Sequence, residues 1–130
     1  YLMSTSSAAG LLTQIDSAGY SVTKAAAVCF AEWIKITYGN KGIGVSCLCP
    51  QAVKTAMTAQ GAGVAGVDGM IEASVAADDV LDAIEKERFL VTPHAEVLEY
   101  VSRKGNDRDR WISGMQRLQE RYEDWVPGED

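Results

Sequence analysis

The run IGVSCLCP, residues 43–50, constrains the fold more than any other stretch of the chain. It is apolar or small at nearly every position, lacks the in-out alternation of a half-solvated strand, and is halted by Pro50. A short strand of that kind is buried on both faces, which is the habit of parallel sheets. Two further strands flank it in sequence: YLMSTSS at residues 1–7, opening into a loop at AAGLLTQIDS, and FLVTP at residues 89–93. Residues 17–38 carry a helical pattern, with Gly39 as its stop. A second helix places Ala77, Val80, Leu81 and Ile84 on one stripe, with Asp78 and Asp79 near its start and Lys86 and Arg88 at its end. That charge order complements the helix dipole. Strand, helix, strand, helix, strand predicts an α/β chain of about three parallel strands with flanking helices.

The remaining segments are less regular. TAQGAGVAGVDG is too poor in large apolar groups to pack tightly, and SRKGNDRDR reads as a solvated connection. Trp111, Met115, Leu118, Tyr122 and Trp125 alternate in spacings of four and three, the mark of an amphipathic helix that docks on something. Within the long helix, AAAVCFA (residues 25–31) is apolar on every side, so the sheet is expected to cover one side and a second copy of the chain the other. At 130 residues the chain is one domain at most, and its net charge of −6 argues against a nucleic-acid or polybasic membrane surface. No apolar run approaches the roughly 20 residues needed to span a bilayer. Cys29, Cys47 and Cys49 form neither a CxxC nor, with a single histidine, a zinc set. They are expected to be small buried hydrophobes in a reducing cytoplasm.

Chemistry concentrates in YSVTK. Tyr20 and Lys24 stand four apart and share one helical face. A free tyrosine is a poor base at neutral pH, and an adjacent ammonium favours the phenolate that acid/base work requires. Ser7, at the carboxyl end of the first strand, is placed to offer a second hydrogen-bond donor to an oxygen gaining negative charge, and ligands of open α/β sheets bind at strand carboxyl ends. Three competing patterns are weaker. GAGVAG (residues 61–66) matches GxGxxG but follows no buried strand, so it reads as a flexible loop. SVTK would make Ser21 a nucleophile beside Lys24, yet the supporting motifs are crowded together and incomplete. His94 reads as a helix-start or surface residue.

Taken in order, these motifs resemble the carboxyl-terminal half of a short-chain dehydrogenase/reductase. The serine of STSSAAG matches the family's active-site serine at Ser7, YxxxK matches Tyr20 and Lys24, and CPQAVKTAM matches the turn after the next strand, with Pro50, Val53 and Thr55 at its cofactor-binding positions. The resemblance implies half of a doubly wound, Rossmann-like sheet, divided as a catalytic strand-helix-strand (1–57), a substrate-covering segment (58–75) and a last helix, strand and tail helix (76–130). It further implies an NAD(P)-dependent oxidoreductase interconverting an alcohol and a carbonyl by hydride transfer. Tyr20 would exchange the proton with the substrate oxygen, Lys24 would favour the phenolate and bind the nicotinamide ribose, and Ser7 would orient the substrate. The implied cofactor is NAD or NADP, and the implied partners are a small alcohol or carbonyl and further copies of the chain. The apolar residues of the covering segment (Ala59, Val64, Val67, Met70, Ile71) favour an uncharged or hydrophobic substrate.

Two departures from the pattern bear on these expectations. Gln51 stands where the family has glycine. The glycine-rich dinucleotide turn of the family's amino-terminal half is not among these residues. The 130 residues alone are therefore expected to be inactive, with a first strand whose edge is unpaired. The alternative is a truncated, non-catalytic oligomerisation or binding module.

Overall fold

The computed structural model describes residues 1–125. Three strands, β1 (Leu2–Thr5), β2 (Val45–Leu48) and β3 (Leu90–Val91), form one parallel sheet in the order β1-β2-β3. Val45, Ser46 and Cys47 are consecutive and all buried, so both faces of β2 are covered, as its unbroken apolar character predicts. The chain crosses from β1 to β2 through α1 (Ala9–Leu12) and α2 (Ala18–Tyr38), and from β2 to β3 through two 3-10 turns and α3 (Ala73–Glu85). Helices α4 (Glu96–Asn106) and α5 (Arg108–Arg121) follow.

Two buried clusters hold the layers. Val28 and Ala31 of α2 pack on Val45, Cys47 and Cys49, the alternate positions that share one side of β2. Ala8 and Leu12 pack with Val97 of α4, and Tyr100, Val101 and Trp111 close round them.

Several sequence expectations are corrected. The AAGLLTQIDS loop contains the helical turn α1, because Ala8, Ala9 and Leu12 have a core to enter. Helix α2 does end at Tyr38 with Gly39 as its C-cap, but Gly39, at φ −55°, opens a 3-10 turn, and the left-handed position is Gly42, at φ +89°. The buried face of α3 carries Ala76 and Ala83, while Leu81 is 65% exposed.

The charges of α3 also act differently from the dipole reading. Neither terminal turn holds the predicted charges; Arg88 instead folds back onto Asp79 at 3.2 Å and Asp82 at 2.9 Å. Residues 102–110 are the end of α4 and the start of α5 rather than a connection. Asp107 separates the two helices, and its carboxylate accepts the Arg110 N–H at 2.9 Å. Tyr122 and Trp125 lie beyond the end of α5. Cys29 is exposed, whereas Cys47 and Cys49 are buried with sulfurs 3.8 Å apart.

Candidate active site

The site grows from the carboxyl end of β1. The parallel ladder runs past the strand: the Ser6 N–H donates to the Leu48 carbonyl at 2.8 Å and the Ala8 N–H to the Pro50 carbonyl at 2.9 Å. Neighbouring residues of extended chain point opposite ways, and here the two serines do different work. The Ser6 hydroxyl donates to the Lys24 carbonyl at 2.8 Å, tying α2 to the end of β1. Ser7 faces a cavity; its hydroxyl accepts the Ala9 N–H at 3.1 Å and donates to the Pro50 carbonyl at 3.5 Å. Gly10 completes the junction. A Cβ there would sit 2.6 Å from the Lys24 carbonyl oxygen, so only glycine lets α1 lie this close to α2.

On the first turns of α2, Tyr20 and Lys24 are half-buried, and the Lys24 Nζ lies 5.5 Å from the centroid of the Tyr20 ring. Neither side chain has a carboxylate partner among the described residues. The structure thus brings Tyr20 and Lys24 together and ties their helix to Ser6. No hydrogen bond joins them to Ser7, and they are not among the walls of the cavity that Ser7 faces. Ser21 is buried; its hydroxyl accepts the Gln14 N–H at 2.8 Å and donates to the Gln14 carbonyl at 3.1 Å, which occupies it as a loop anchor rather than a nucleophile.

After β2, Pro50 caps the ladder, and Val53 forms a parallel bridge with Ile71. The Thr58 hydroxyl donates to the Val53 carbonyl at 2.7 Å and accepts the Thr55 N–H at 3.1 Å; Thr55 itself is exposed. The intervening loop is closed by the Ala52 N–H on the Ala65 carbonyl at 3.0 Å and the Lys54 N–H on the Ile71 carbonyl at 2.9 Å. GAGVAG lies in this loop after a 3-10 turn, not a strand, and Gly63 has the Trp125 ring 3.1 Å from where a Cβ would stand. That geometry is packing and does not make a phosphate cradle.

The cavity, about 690 Å³, lies between this loop and the α4–α5 pair, with Ser7, Leu12, Gln51, Val64, Trp111 and Leu118 among its walls. The Trp111, Met115 and Leu118 stripe of the far wall was expected from its spacing, but the docking of α4 was not. That wall depends on Lys104 of α4, whose ammonium donates to the Leu11 carbonyl at 2.8 Å and the Thr13 hydroxyl at 3.2 Å, so docking α4 on α1. Burial, and then the nearby Arg108, push the Lys104 ammonium below its ordinary pKa.

Gln51 and His94 form a second feature that sequence reasoning missed. His94 precedes α4, as expected, but is only 4% exposed, and its Nδ1 accepts the Gln51 N–H at 3.1 Å. The Gln51 amide donates to Asp68 at 3.0 Å, and Asp68 accepts the Tyr100 hydroxyl at 3.0 Å. Burial and then the Asp68 hydrogen bond raise the Tyr100 phenol above its ordinary range. The glutamine that replaces a turn glycine thus pins the loop to α4. Among the described residues, Gln51 Oε1 and His94 Nε2 are the buried side-chain polar atoms without a partner.

The three parallel strands with flanking helices form a Rossmann-like fragment, and comparison with known proteins finds the same fold. Residues 2–63 match the family model of the short chain dehydrogenases. A short-chain dehydrogenase from Sphingobium yanoikuyae in complex with NADPH shares the fold at a TM-score of 0.62 and 17% identity, over 98% of this chain and 46% of that one. The bulky-bulky ketone specific alcohol dehydrogenase from Comamonas testosteroni does so at 0.59 and 16%, over 98% and 44%. The chain therefore spans less than half the length of these solved structures. No curated protein matches it in sequence. Residues 2–63 are thus similar to the short chain dehydrogenases, and the fold of the whole chain is shared with such enzymes.

Proposed function

We propose that the chain forms the catalytic and substrate-facing part of an NAD(P)-dependent oxidoreductase that interconverts an alcohol and a carbonyl. The observation that carries this reading is the Tyr20–Lys24 pair: a phenol and an ammonium on one turn, Nζ 5.5 Å from the ring centroid, at the carboxyl end of a parallel sheet. Tyr20 holds the proton that passes to or from the substrate oxygen. Ser7, on the cavity wall, donates to that oxygen and orients it.

The donor set fits the nicotinamide end of a dinucleotide. Lys24 and Tyr20 would hold the ribose, while Pro50, Val53 and Thr55 line the turn against which the carboxamide would lie. The cofactor, when bound, gives or accepts the hydride. Residues 61–66 offer no pyrophosphate cradle, so activity is expected to need a cradle from outside these 130 residues, and the 130-residue chain alone is expected not to oxidise NAD(P)H. The protein is also proposed to act in the cytoplasm and as a homo-oligomer. The rival reading, a non-catalytic module, is favoured by one observation: Phe30, Trp33 and Ile36 of α2 are exposed.

The test is carbonyl-dependent consumption of NAD(P)H by the protein purified from its natural source. Replacing Tyr20→Phe should lower kcat by roughly 10²–10⁴-fold, the usual worth of a positioned proton donor, with an unchanged circular dichroism spectrum. A Tyr20→Phe protein as active as wild type would sink the catalytic reading and leave the module in the lead.

A further inference from the structure

The cavity that Ser7 faces is not apolar throughout. Four of the chain's twelve basic residues, Arg103, Arg110, Arg117 and Arg121, stand on its α4–α5 wall, against a single carboxylate there, Asp107. Arg103 is already paired with Glu99 and lies against the Tyr100 ring. Asp107 is committed to capping α5. Arg110, Arg117 and Arg121 have no carboxylate partner among the described residues. They flank the apolar stripe of Trp111, Met115 and Leu118 on the same side of α5. Arg117 and Arg121 are four apart on the helix, where like charges repel. In a chain of net charge −6, these three exposed guanidiniums, without a carboxylate partner among the described residues, gather at the rim of one cavity.

From this the geometry points to an anionic substrate: a carbonyl or alcohol compound with an apolar body and a carboxylate or phosphate, held by Arg117 and Arg121 with help from Arg110. The apolar body lies along Leu12, Val64, Trp111 and Leu118, and the reacting oxygen reaches Ser7. Guanidinium forks match the geometry of such oxyanions and bind them more strongly than neutral acceptors. The inference rests on the alcohol–carbonyl reading for its reacting group, but the anion site is a property of α5 alone. It also revises the expectation of an uncharged substrate. That expectation considered only the covering segment, and the opposite wall carries the charge.

The experiment compares 7-oxooctanoate with 2-octanone, which has the same reacting group and no carboxylate. Binding to the full-length natural protein is followed by quenching of tryptophan fluorescence, since Trp111 lines the cavity. Turnover with NAD(P)H is followed separately. The oxo acid should bind about tenfold or more tightly, as one charge-assisted pair predicts, and the advantage should shrink with salt. The R117Q/R121Q double variant should lose the preference, R117K/R121K should recover most of it, and Lys41→Gln, which removes a distant charge, should leave it intact. Equal affinities in the wild type, no saturable binding of either compound, or a preference that survives R117Q/R121Q would each overturn the proposal. If the oxo acid is preferred but neither compound is turned over, the anion site stands and the hydride-transfer reading fails. If both are turned over with equal KM, the reverse holds.

Discussion

Single atoms decide how the Ser7 side of the site is built. At Gly10 an added methyl group would meet the Lys24 carbonyl at 2.6 Å, a backbone atom that cannot move aside without carrying α2 with it. Gly10→Ala should therefore cost about 1–3 kcal/mol, the range for overpacking a filled site, and should disturb Ser7 and Lys24 together. Gly105 of α4 is the control: a Cβ there meets nothing within 4 Å. Gly105→Ala should be neutral or stabilising by up to about 1 kcal/mol. Thermal melts of the two variants check both; equal losses would refute the close-approach account. The cysteines give a second residue-scale prediction. Cys49 is raised above the ordinary thiol range by its hydrogen bond with Cys47 and then by burial, so it stays protonated at neutral pH, and both sulfurs are shielded. Of the three thiols only Cys29 should react with Ellman's reagent in the native protein, and all three after unfolding. Rapid native modification of two or more would contradict the burial.

At the scale of elements, α3 shows why a charge pattern read along a sequence can mislead. Asp78, Asp79, Lys86 and Arg88 satisfy a dipole rule, yet Arg88 lies past the helix end and is free to turn back, trading a fractional helix charge for Asp79 and Asp82. Lys86 and then Arg88 hold the Asp82 carboxyl below its ordinary range. A carboxylate whose folded pKa is depressed adds stability above its unfolded value of about 3.9, and that stability is lost as pH falls through the lower folded value. Arg88→Gln should thus lower the melting temperature slightly at neutral pH, and its deficit should shrink in acid. A deficit that grows with acidification would contradict the assignment. The long helix α2 was legible from its helical pattern and the three strands from short apolar runs, because each is decided by its own residues. Helix α4 was not. Its charged second half, Ser102 to Asn106, carries no pattern distinguishable from a solvated loop until Val97 finds Ala8 and Leu12, and Lys104 finds the end of α1.

For the molecule as a whole, α2 presents the largest open question of surface. Phe30, Trp33 and Ile36 face outward, Ile36 being 80% exposed, with the Phe30 and Trp33 rings stacked at 6.3 Å. Sedimentation equilibrium should find an oligomer, and Trp33→Glu should shift it toward monomer; a wild-type monomer at all accessible concentrations would remove the case for self-association. No helix among the described residues is long and apolar enough to cross a membrane. The sequence by itself determined the parallel sheet, the long helix, and the pairing of Tyr20 with Lys24 on one helical turn. These follow from local propensity, from strands too apolar to face water, and from fixed spacings along one chain. Only the tertiary structure decided that Ser6 rather than Ser7 ties the helix, that His94 is buried under Gln51, and that arginines from α4 and α5 share a cavity with Ser7. Each of those facts joins residues 18 or more positions apart, and burial or charge gathered by such contacts leaves no periodic trace in the sequence.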